Sequence, residues 1–466
     1  MKTAQPYNTG YVWTISVVAA LGGLLFGYDW VVIGGAKPFY EKFFQLNTEE
    51  LIGWANSCAL IGCLVGSVVS GITSDRFGRK KLLILSAVLF AVSSVFTGWA
   101  SVFPFFVTWR IIGGVAIGIA SNVSPTYIAE ISPAPWRGRM VTLNQLTIVV
   151  GILAAQIVNW LIAERVPDGA TTEMIRQSWN GQYAWRWMFT AVALPALIFF
   201  VTALFIPESP RWLAKKGDNE RARRTLARIG GEQYGAHTLA EIQAALGSEA
   251  EGGVAWRELL APGILKVLLI GVALAVLQQW SGINIIFNYA EEIYHGAGYG
   301  VSGILFNIVI TGTINLVFTL FALSLVDRLG RRSLMLFGCA GIAFSHALLG
   351  LTYRAGVKGL PVLLLTLCTI ACYALSLAPV TWVLISEIFP NRIRGIGVSI
   401  SVSALWSAAF VLTFTFPILN RALGSAGTFW TYAGICLVGF FFVLLRVPET
   451  KGKSLEEIER ELTRRI

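Results

Sequence analysis

The sequence DRFGRK at residues 75–80 returns as DRLGRR at residues 327–332, and this repeat decides how the chain is organised. Two further pairs follow in the same order, EISPAPWRGR with EIFPNRIRG and PESPR with PETKG. Three signatures that recur in one order indicate a duplicated structural unit. We therefore predict two similar halves, arranged one after the other along the chain.

Apolar residues dominate the sequence between these repeats. Of all residues, 55% are hydrophobic and 13% are charged, and the charged share is about half that of a soluble domain. The apolar residues form six continuous runs before a polar interval and six after it, and a spanning helix needs about 20 residues. This pattern excludes a soluble multidomain enzyme, a disordered chain and an outer-membrane barrel. We predict an all-α membrane protein with twelve transmembrane helices in two pseudo-symmetric six-helix halves.

The polar interval divides the chain into regions. We predict an N-terminal six-helix half over 1–207, a helical insert over 208–260, a C-terminal six-helix half over 261–447 and a tail over 448–466. In the insert, NERARRTLARI places Ala222, Leu226 and Ile229 on one side of an amphipathic helix, and KSLEEIERELTRR predicts a second one in the tail. We interpret these charged helices as a solvated cytoplasmic platform.

The net charge of +10 arises from 36 Lys+Arg against 26 Asp+Glu. The basic residues gather in the short loops of the repeats, in the insert and in the tail, which is the distribution of the positive-inside rule. It predicts cytoplasmic termini and a multi-pass protein of a bacterial-type inner (plasma) membrane, in contact with the lipid bilayer and with no nucleic-acid partner. The six cysteines lie in apolar runs, so no metal site is predicted.

Seven motifs lie in order along nearly the whole chain: GLLFGYD, DRFGRK, PESPRW, QQWSGIN, DRLGRR, SEIFPNRIRG and PETKG. In this order they resemble the sugar porter family of the major facilitator superfamily, most closely the bacterial xylose-type sugar–proton symporters. The resemblance implies the major facilitator fold and a proton-coupled importer of a monosaccharide, a pentose or a hexose, that works by alternating access. It implies no cofactor besides the proton as coupling ion. We expect a functional monomer.

Two other functions are the alternatives. A passive sugar or polyol facilitator would share every motif but would not need proton coupling. A membrane-embedded enzyme would need a nucleophile with its base or a metal cluster, and the sequence offers neither. We therefore expect no enzymatic activity.

Ionisable residues recur at the ends of the predicted helices in both halves. Opposite charges on neighbouring helix ends can form a network when one side of the membrane is closed and lose it when that side opens. Simple anchoring of the topology by basic loops is the alternative. The resemblance implies that the network is the family's inner gate, which stabilises the outward-facing state. The predicted gating residues are Asp75, Arg79, Glu130, Arg137 and Glu208 in the first half, and Asp327, Arg331, Glu387, Arg394 and Glu449 in the second.

Asp29 lies in the first apolar run and Arg110 in the fourth. An unpaired charge in hydrocarbon is costly, so an acid at this depth is a functional candidate. Burial favours the neutral carboxyl and a nearby guanidinium favours the charged one, so a small helix movement could make Asp29 bind or release a proton. A fixed structural ion pair is the alternative. The resemblance supports the proton switch, although Val192 stands where the xylose-type symporters have a glutamate.

Neutral amides and aromatic rings are the candidates for sugar binding, because amides pair with hydroxyls and indoles stack on the C–H faces of sugars. The seventh apolar run is unusually polar, and Gly282 permits its helix to unwind. Polar contacts between helices are the alternative for any one residue. The candidates, matched to the family's motifs except for Asn288, are Gln145, Gln278, Gln279, Asn284, Asn288, Asn315, Trp382 and Trp406.

Three positions depart from the family's pattern. Leu405 stands where many relatives have an amide, Ala378 replaces a common glycine, and Asn288 occupies a position often held by tyrosine. The pocket is therefore expected to be reshaped on the side of the second half.

Overall fold

The computed structural model describes residues 7–167, 169–250, 259, 261–390, 393–451 and 457, and these residues are almost entirely helical. The helices are α1 Thr9–Phe44, α2 Glu49–Phe77, α3 Arg79–Gly98, α4 Phe103–Ile131, α5 Arg137–Ile162, α6 Thr172–Gln177, α7 Asn180–Ala203, α8 Pro210–Lys215, α9 Asn219–Ala250, α10 Pro262–Trp280, α11 Ile283–Asn288, α12 Ala290–Gly296, α13 Val301–Leu329, α14 Arg331–Arg354, α15 Leu360–Leu375, α16 Leu377–Glu387 and α17 Arg394–Arg446.

Eleven helical segments of the described chain are long and apolar enough to cross a membrane. The last of them, α17, has 53 residues, and at 1.5 Å per residue it would be about 80 Å long. The hydrocarbon core of a bilayer is about 30 Å thick. The backbone of α17 leaves the helical region at Gly424, with φ 67 and ψ 169, so α17 comprises two spans. The twelve-span fold predicted from the sequence is confirmed.

The two halves meet along several helices, and small residues set their approach. A Cβ added at Gly34 of α1 would collide with the carbonyl oxygen of Phe287 in α11. A Cβ added at Gly53 of α2 would likewise collide with the carbonyl oxygen of Phe414 in α17. Glycine lets helix backbones pack this closely in membranes. The backbones of the two halves are therefore in direct contact where α1 crosses α11 and where α2 crosses α17.

The loops with the repeated basic motifs lie at one end of the bundle, which we call the basic end. The chain start and the insert join them there: the Asn8 N–H donates to the Ile229 carbonyl at 2.8 Å, and the Tyr7 ring packs on Trp136 with centroids 5.2 Å apart. We call the other end, where α1 finishes at Phe44 and α12 begins, the opposite end.

The insert forms helices α8 and α9, with a bend at Gly231, where φ is 87. Ala222, Leu226 and Ile229 are buried, with exposed fractions of 0%, 2% and 0%, so the predicted amphipathic face is confirmed. Leu213 of α8 packs against this face. Most of the predicted tail helix lies outside the described residues.

Candidate functional site

The helix of the seventh span is broken at Gly282, as the sequence predicts. Helix α10 ends at Trp280 and α11 begins at Ile283, while Gly282 has φ 85, a conformation that suits glycine. The break frees the carbonyl of Ser281, which accepts a hydrogen bond from His346 Nε2 at 2.9 Å. Since a carbonyl only accepts, that nitrogen must carry the proton. His346 is 0% exposed and fixes the broken helix in place.

The break brings the polar side chains of the seventh span together. Asn284 Nδ2 donates to Gln279 Oε1, and Gln279 Nε2 donates to Gln278 Oε1 at 2.9 Å. The three amides are therefore linked in one chain. Each keeps further donors or acceptors for a hydroxylated ligand.

These amides line a cavity of about 290 Å³ between the two halves. Its volume is near the lower end of the range of small-molecule sites, about 300–1,000 Å³. Residues from both halves form the wall, as the two-half architecture requires. Seven of the predicted sugar-binding residues line it: Gln145, Gln278, Gln279, Asn284, Asn315, Trp382 and Trp406. Leu405 and Ala378, two of the three departures from the family's pattern, line it as well.

Three aromatic rings form an apolar wall of the cavity. Phe26 and Trp30 of α1 each lie 5.8 Å from the Trp406 ring of α17, centroid to centroid. Trp406 is 2% exposed, and its Nε1–H has no hydrogen-bond partner among the residues described. Phe26 and Trp30 are not among the binding residues predicted from the sequence. Their four-residue spacing, which puts them on one face of a helix, could have revealed them.

Asn288 was expected at the substrate site, and it is not among the described residues that line the cavity. It ends α11, one helical turn beyond Asn284, and is 3% exposed. Helix α1 passes so close to it that a Cβ at Gly34 would lie 3.4 Å from the Asn288 Cα. In this conformation the crossing of α1 therefore separates Asn288 from the cavity.

The structure brings Asp29 and Arg110 together. Arg110 Nη1 donates to Asp29 Oδ1 at 3.1 Å, and the side chains are 3% and 5% exposed for Arg110 and Asp29. The second carboxylate oxygen, Asp29 Oδ2, has no hydrogen-bond partner in the described part of the chain. The Arg110 guanidinium also lies 5.4 Å from the centroid of the Phe189 ring. The pair is buried, and one oxygen of Asp29 remains open to a proton.

At the basic end of the first half, Arg79 connects two acidic residues. Its Nη atoms donate to Asp75 at 3.0 Å and to Glu130 at 3.0 Å. Glu208 accepts from the backbone N–H of Arg79 at 2.9 Å, so it caps the exposed N-terminus of α3. Ser209 Oγ donates to the second oxygen of Glu130 at 2.5 Å.

The second half repeats this arrangement. Arg331 Nη2 donates to Glu387 at 3.4 Å, and the backbone N–H of Arg331 donates to Glu449 at 2.9 Å. Thr450 Oγ1 donates to the second oxygen of Glu387 at 2.6 Å, as Ser209 does in the first half. Of the predicted gating residues, the side chain of Asp327 lies outside the described residues.

Arg137 and Arg394, the other predicted gating residues, contact backbone carbonyls of their own halves. Arg137 Nε donates to Ala129 O at 3.1 Å, and Arg394 Nη2 donates to Phe389 O at 3.4 Å. Each ion pair found among the described gating residues joins residues of the same half. In this conformation the described ion pairs of the network therefore connect helices within each half at the basic end.

The opposite end contains a cluster of charged residues that is not among the sites predicted from the sequence. Lys37 of α1 is buried, and its Nζ lies 2.6 Å from Glu292, 3.1 Å from Glu41 and 3.4 Å from Glu291. Glu291 and Glu292 belong to α12, so these ion pairs join the two halves. A lysine inside an apolar run needs a partner, and that requirement, together with the acidic pair in NYAEEIY, was the available signal.

A bundle of twelve spans in two halves, with a cavity between them lined by amides and aromatic rings, is the architecture of a membrane transporter. The comparison with known proteins identifies its family: residues 15–462 match the model described as sugar (and other) transporter. The chain therefore belongs to this family, the sugar porters of the major facilitator superfamily. The family membership that the sequence motifs implied is confirmed.

The chain is similar to named transporters along nearly its whole length. It is 37% identical over 484 residues to the D-xylose-proton symporter of Escherichia coli (strain K12), covering 97% of this chain and 96% of that protein. It is 38% identical over 461 residues to the arabinose-proton symporter of Bacillus subtilis (strain 168), with coverage of 99% and 97%. Among solved structures, the partially occluded inward open conformation of the xylose transporter XylE from E. coli matches with a TM-score of 0.84 and 35% identity, over 96% of this chain and 100% of that one.

Proposed function

We propose that this chain imports a monosaccharide, a pentose or a hexose, together with a proton by alternating access. The observation that carries the proposal is the double role of α1. One side of this helix places Phe26 and Trp30 in the wall of the cavity, and Asp29, between them, pairs with Arg110. A change in the charge of Asp29 can therefore move the helix that contacts the sugar. The proton-symporter names of the two relatives support the same function.

The orientation follows from charge. Because basic loops stay on the cytoplasmic side, we place the basic end, the insert and both termini in the cytoplasm of a cell with a bacterial-type inner membrane. The ion pairs of Lys37 then close the outer side in this conformation. The similarity to an inward open transporter conformation supports this assignment. Since one chain provides the whole cavity, a monomer suffices for transport.

The coupling step uses the buried pair. With Asp29 ionised, the pair with Arg110 holds α1 against α4. When Asp29 Oδ2 takes up a proton, the attraction between the two side chains weakens, and the guanidinium keeps its contact with the Phe189 ring. Helix α1 is then free to shift relative to α4 as the halves rock. Release of the proton restores the ion pair and resets the helix.

The second candidate function is a passive sugar or polyol facilitator. Val192, which is 0% exposed, stands where the resemblance places a glutamate in xylose-type symporters. Without that acid, the Asp29–Arg110 pair could be a fixed structural contact. Transport would then proceed down the sugar gradient alone.

The substitution Asp29→Asn separates the two functions. It keeps the volume and a polar head but removes the titrating proton, so uptake driven by an inward proton gradient should fall to the equilibrium level. Binding and sugar-for-sugar exchange need only the cavity and the rocking of the halves, so both should persist. Uptake into sealed vesicles, with and without the proton gradient, measures the difference.

Exchange is also the folding control, because the variant leaves Arg110 without its counter-charge in a buried position. If Asp29→Asn still accumulates sugar against its gradient, the proton binds elsewhere. If the parent accumulates none under any pH gradient, the chain is a facilitator.

A further inference from the structure

Gln156 of α5 is a buried amide that none of the roles above uses. It lies one helical turn beyond Ile152, which lines the cavity, in the direction of the opposite end. It is 1% exposed, and neither its amide nitrogen nor its amide oxygen has a hydrogen-bond partner among the described residues. A Cβ added at Gly312 of α13 would collide with Gln156 Oε1. The carboxamide therefore lies in the interface between the two halves.

The surrounding contacts form a seam between α5 and α13 that runs from the cavity to the opposite end. Beyond the contact of Gln156 with Gly312, the Trp160 and Phe306 rings lie 6.0 Å apart. Farther along, the Val166 N–H donates to the Ser302 hydroxyl at 3.0 Å. Gln156 is thus at the first contact of the seam outside the cavity. When the halves part at the opposite end, the cavity is extended along this seam.

The position is costly for an amide while the seam is closed. A buried donor and acceptor without partners lose their hydrogen bonds to water and gain none. Leucine or methionine would fill the same space opposite Gly312 without that cost. A use of the amide in another conformation would offset the cost of Gln156 in this one.

Two more amides beyond the cavity show the same feature. Asn288, one turn from Asn284, is 3% exposed with Oδ1 unpartnered, and Asn307, two turns from Asn315, is 5% exposed with Nδ2 unpartnered, as far as the described residues show. All three lie on helices that line the cavity, on the side where the halves are closed.

We propose that Gln156 is a sugar-binding residue of the outward-facing state only: its carboxamide bonds a hydroxyl of the monosaccharide when the seam is open. An amide both donates and accepts, which suits a hydroxyl. The inference rests on the proposed alternating access and extends it, since it makes the site larger on one side of the cycle than on the other.

The test measures sugar transport separately for sugar added on the side of the opposite end and for sugar added on the side of the basic end. In vesicles of known orientation, Gln156→Leu should raise the half-saturating sugar concentration from the opposite side by about 3- to 30-fold, the value of one hydrogen bond in a dry site. For sugar added on the side of the basic end, the half-saturating concentration should change by less than about twofold. Gln145→Leu, on the same helix but in the cavity wall, is the matched control and should raise both values. Gln156→Met serves as a second variant if the leucine variant does not fold.

A series of monodeoxy sugars distinguishes a contact from a packing effect. If Gln156 bonds one hydroxyl, the analogue without that hydroxyl should bind parent and variant alike from the opposite side. Equal shifts from both sides, or one shift shared by all analogues, would overturn the inference and leave Gln156 as a packing residue.

The proposed function can fail separately. Influx down a sugar gradient requires no proton gradient, so a parent that shows only passive transport would overturn proton coupling while this test still gives its answer. A parent that moves no sugar from either side would overturn both.

Discussion

The two ends of the bundle contain similar charges but connect them differently. At the basic end, Arg79 pairs with Glu130 and Arg331 with Glu387, each within its own half. At the opposite end, Lys37 pairs with glutamates of the other half. The same interaction thus makes each half rigid at one end and joins the halves at the other. Charge alone does not define a gate; what matters is which helices the pairs connect.

The difference fits the movement that the fold requires. A rocking transporter needs halves that move as units and an interface that can exist in two arrangements. The within-half networks are duplicated with the repeat, down to Ser209 and Thr450, which donate to equivalent glutamates. Among the residues that the structure describes, the ion pairs found between the halves are those at the opposite end.

The largest effect is expected from removing Lys37. Lys37→Gln leaves Glu41, Glu291 and Glu292 without their buried cation, and like charges then repel across the interface. The closed opposite end should lose about 2 kcal/mol, or roughly 30-fold in the conformational equilibrium.

A cysteine at Leu305, which is 3% exposed in α13, should then react faster with an impermeant maleimide. The native exposed thiol, Cys368, is first replaced by serine.

Sugar binding is the control for this variant, since the cavity residues are unchanged. Folded protein with an unaltered labelling rate would show that the Lys37 cluster does not close the opposite end.

Much of the fold was predictable because its determinants are local. Apolar runs of spanning length, the repeated motifs and Gly282 gave the two halves and the broken seventh span, and seven of eight predicted binding residues line one cavity. These features depend on composition and spacing along a single helix. Asp29 and Arg110 could be paired because each is costly alone in hydrocarbon.

The rest depends on how distant helices cross. Lys37 and Glu292 are far apart in sequence, and their contact follows only from the approach of α1 to α12. The residue type of Asn288 suits sugar, but in this conformation α1 crosses beside it at Gly34, and Asn288 is not among the described residues that line the cavity. That the gating pairs lie within each half is a property of one conformation, which a sequence does not specify.

A smaller effect of opposite sign is expected at the basic end. Glu387 accepts from Arg331 and Thr450 in this conformation, and we expect it to take part in the predicted gating network when the basic end closes. Glu387→Gln or Arg137→Ala should therefore favour the conformation described by about 1 kcal/mol, or roughly fivefold. Transport should slow more than equilibrium binding weakens, and labelling at Leu305→Cys should slow as well.

Combining Lys37→Gln with Glu387→Gln tests whether the two ends act on one equilibrium. The sites are far apart, so their free-energy effects should add and the labelling rate should lie between those of the single variants. A basic-end variant that labels as fast as the parent would remove the support for a gate there.

The smallest effect is expected from Lys42→Gln, which sharpens the comparison within the opposite end itself. Lys42 Nζ lies 3.9 Å from Glu291, and the side chains are 20% and 19% exposed. Such a pair is partly hydrated and longer than a hydrogen bond, so its loss should change the labelling rate of Leu305→Cys by less than about threefold. High salt should erase this difference, because it screens exposed charges, and should leave most of the Lys37→Gln effect, because the Lys37 ammonium is buried. Equal effects of the two lysines would mean that net charge at the opposite end, and not the buried contact between α1 and α12, keeps the halves together.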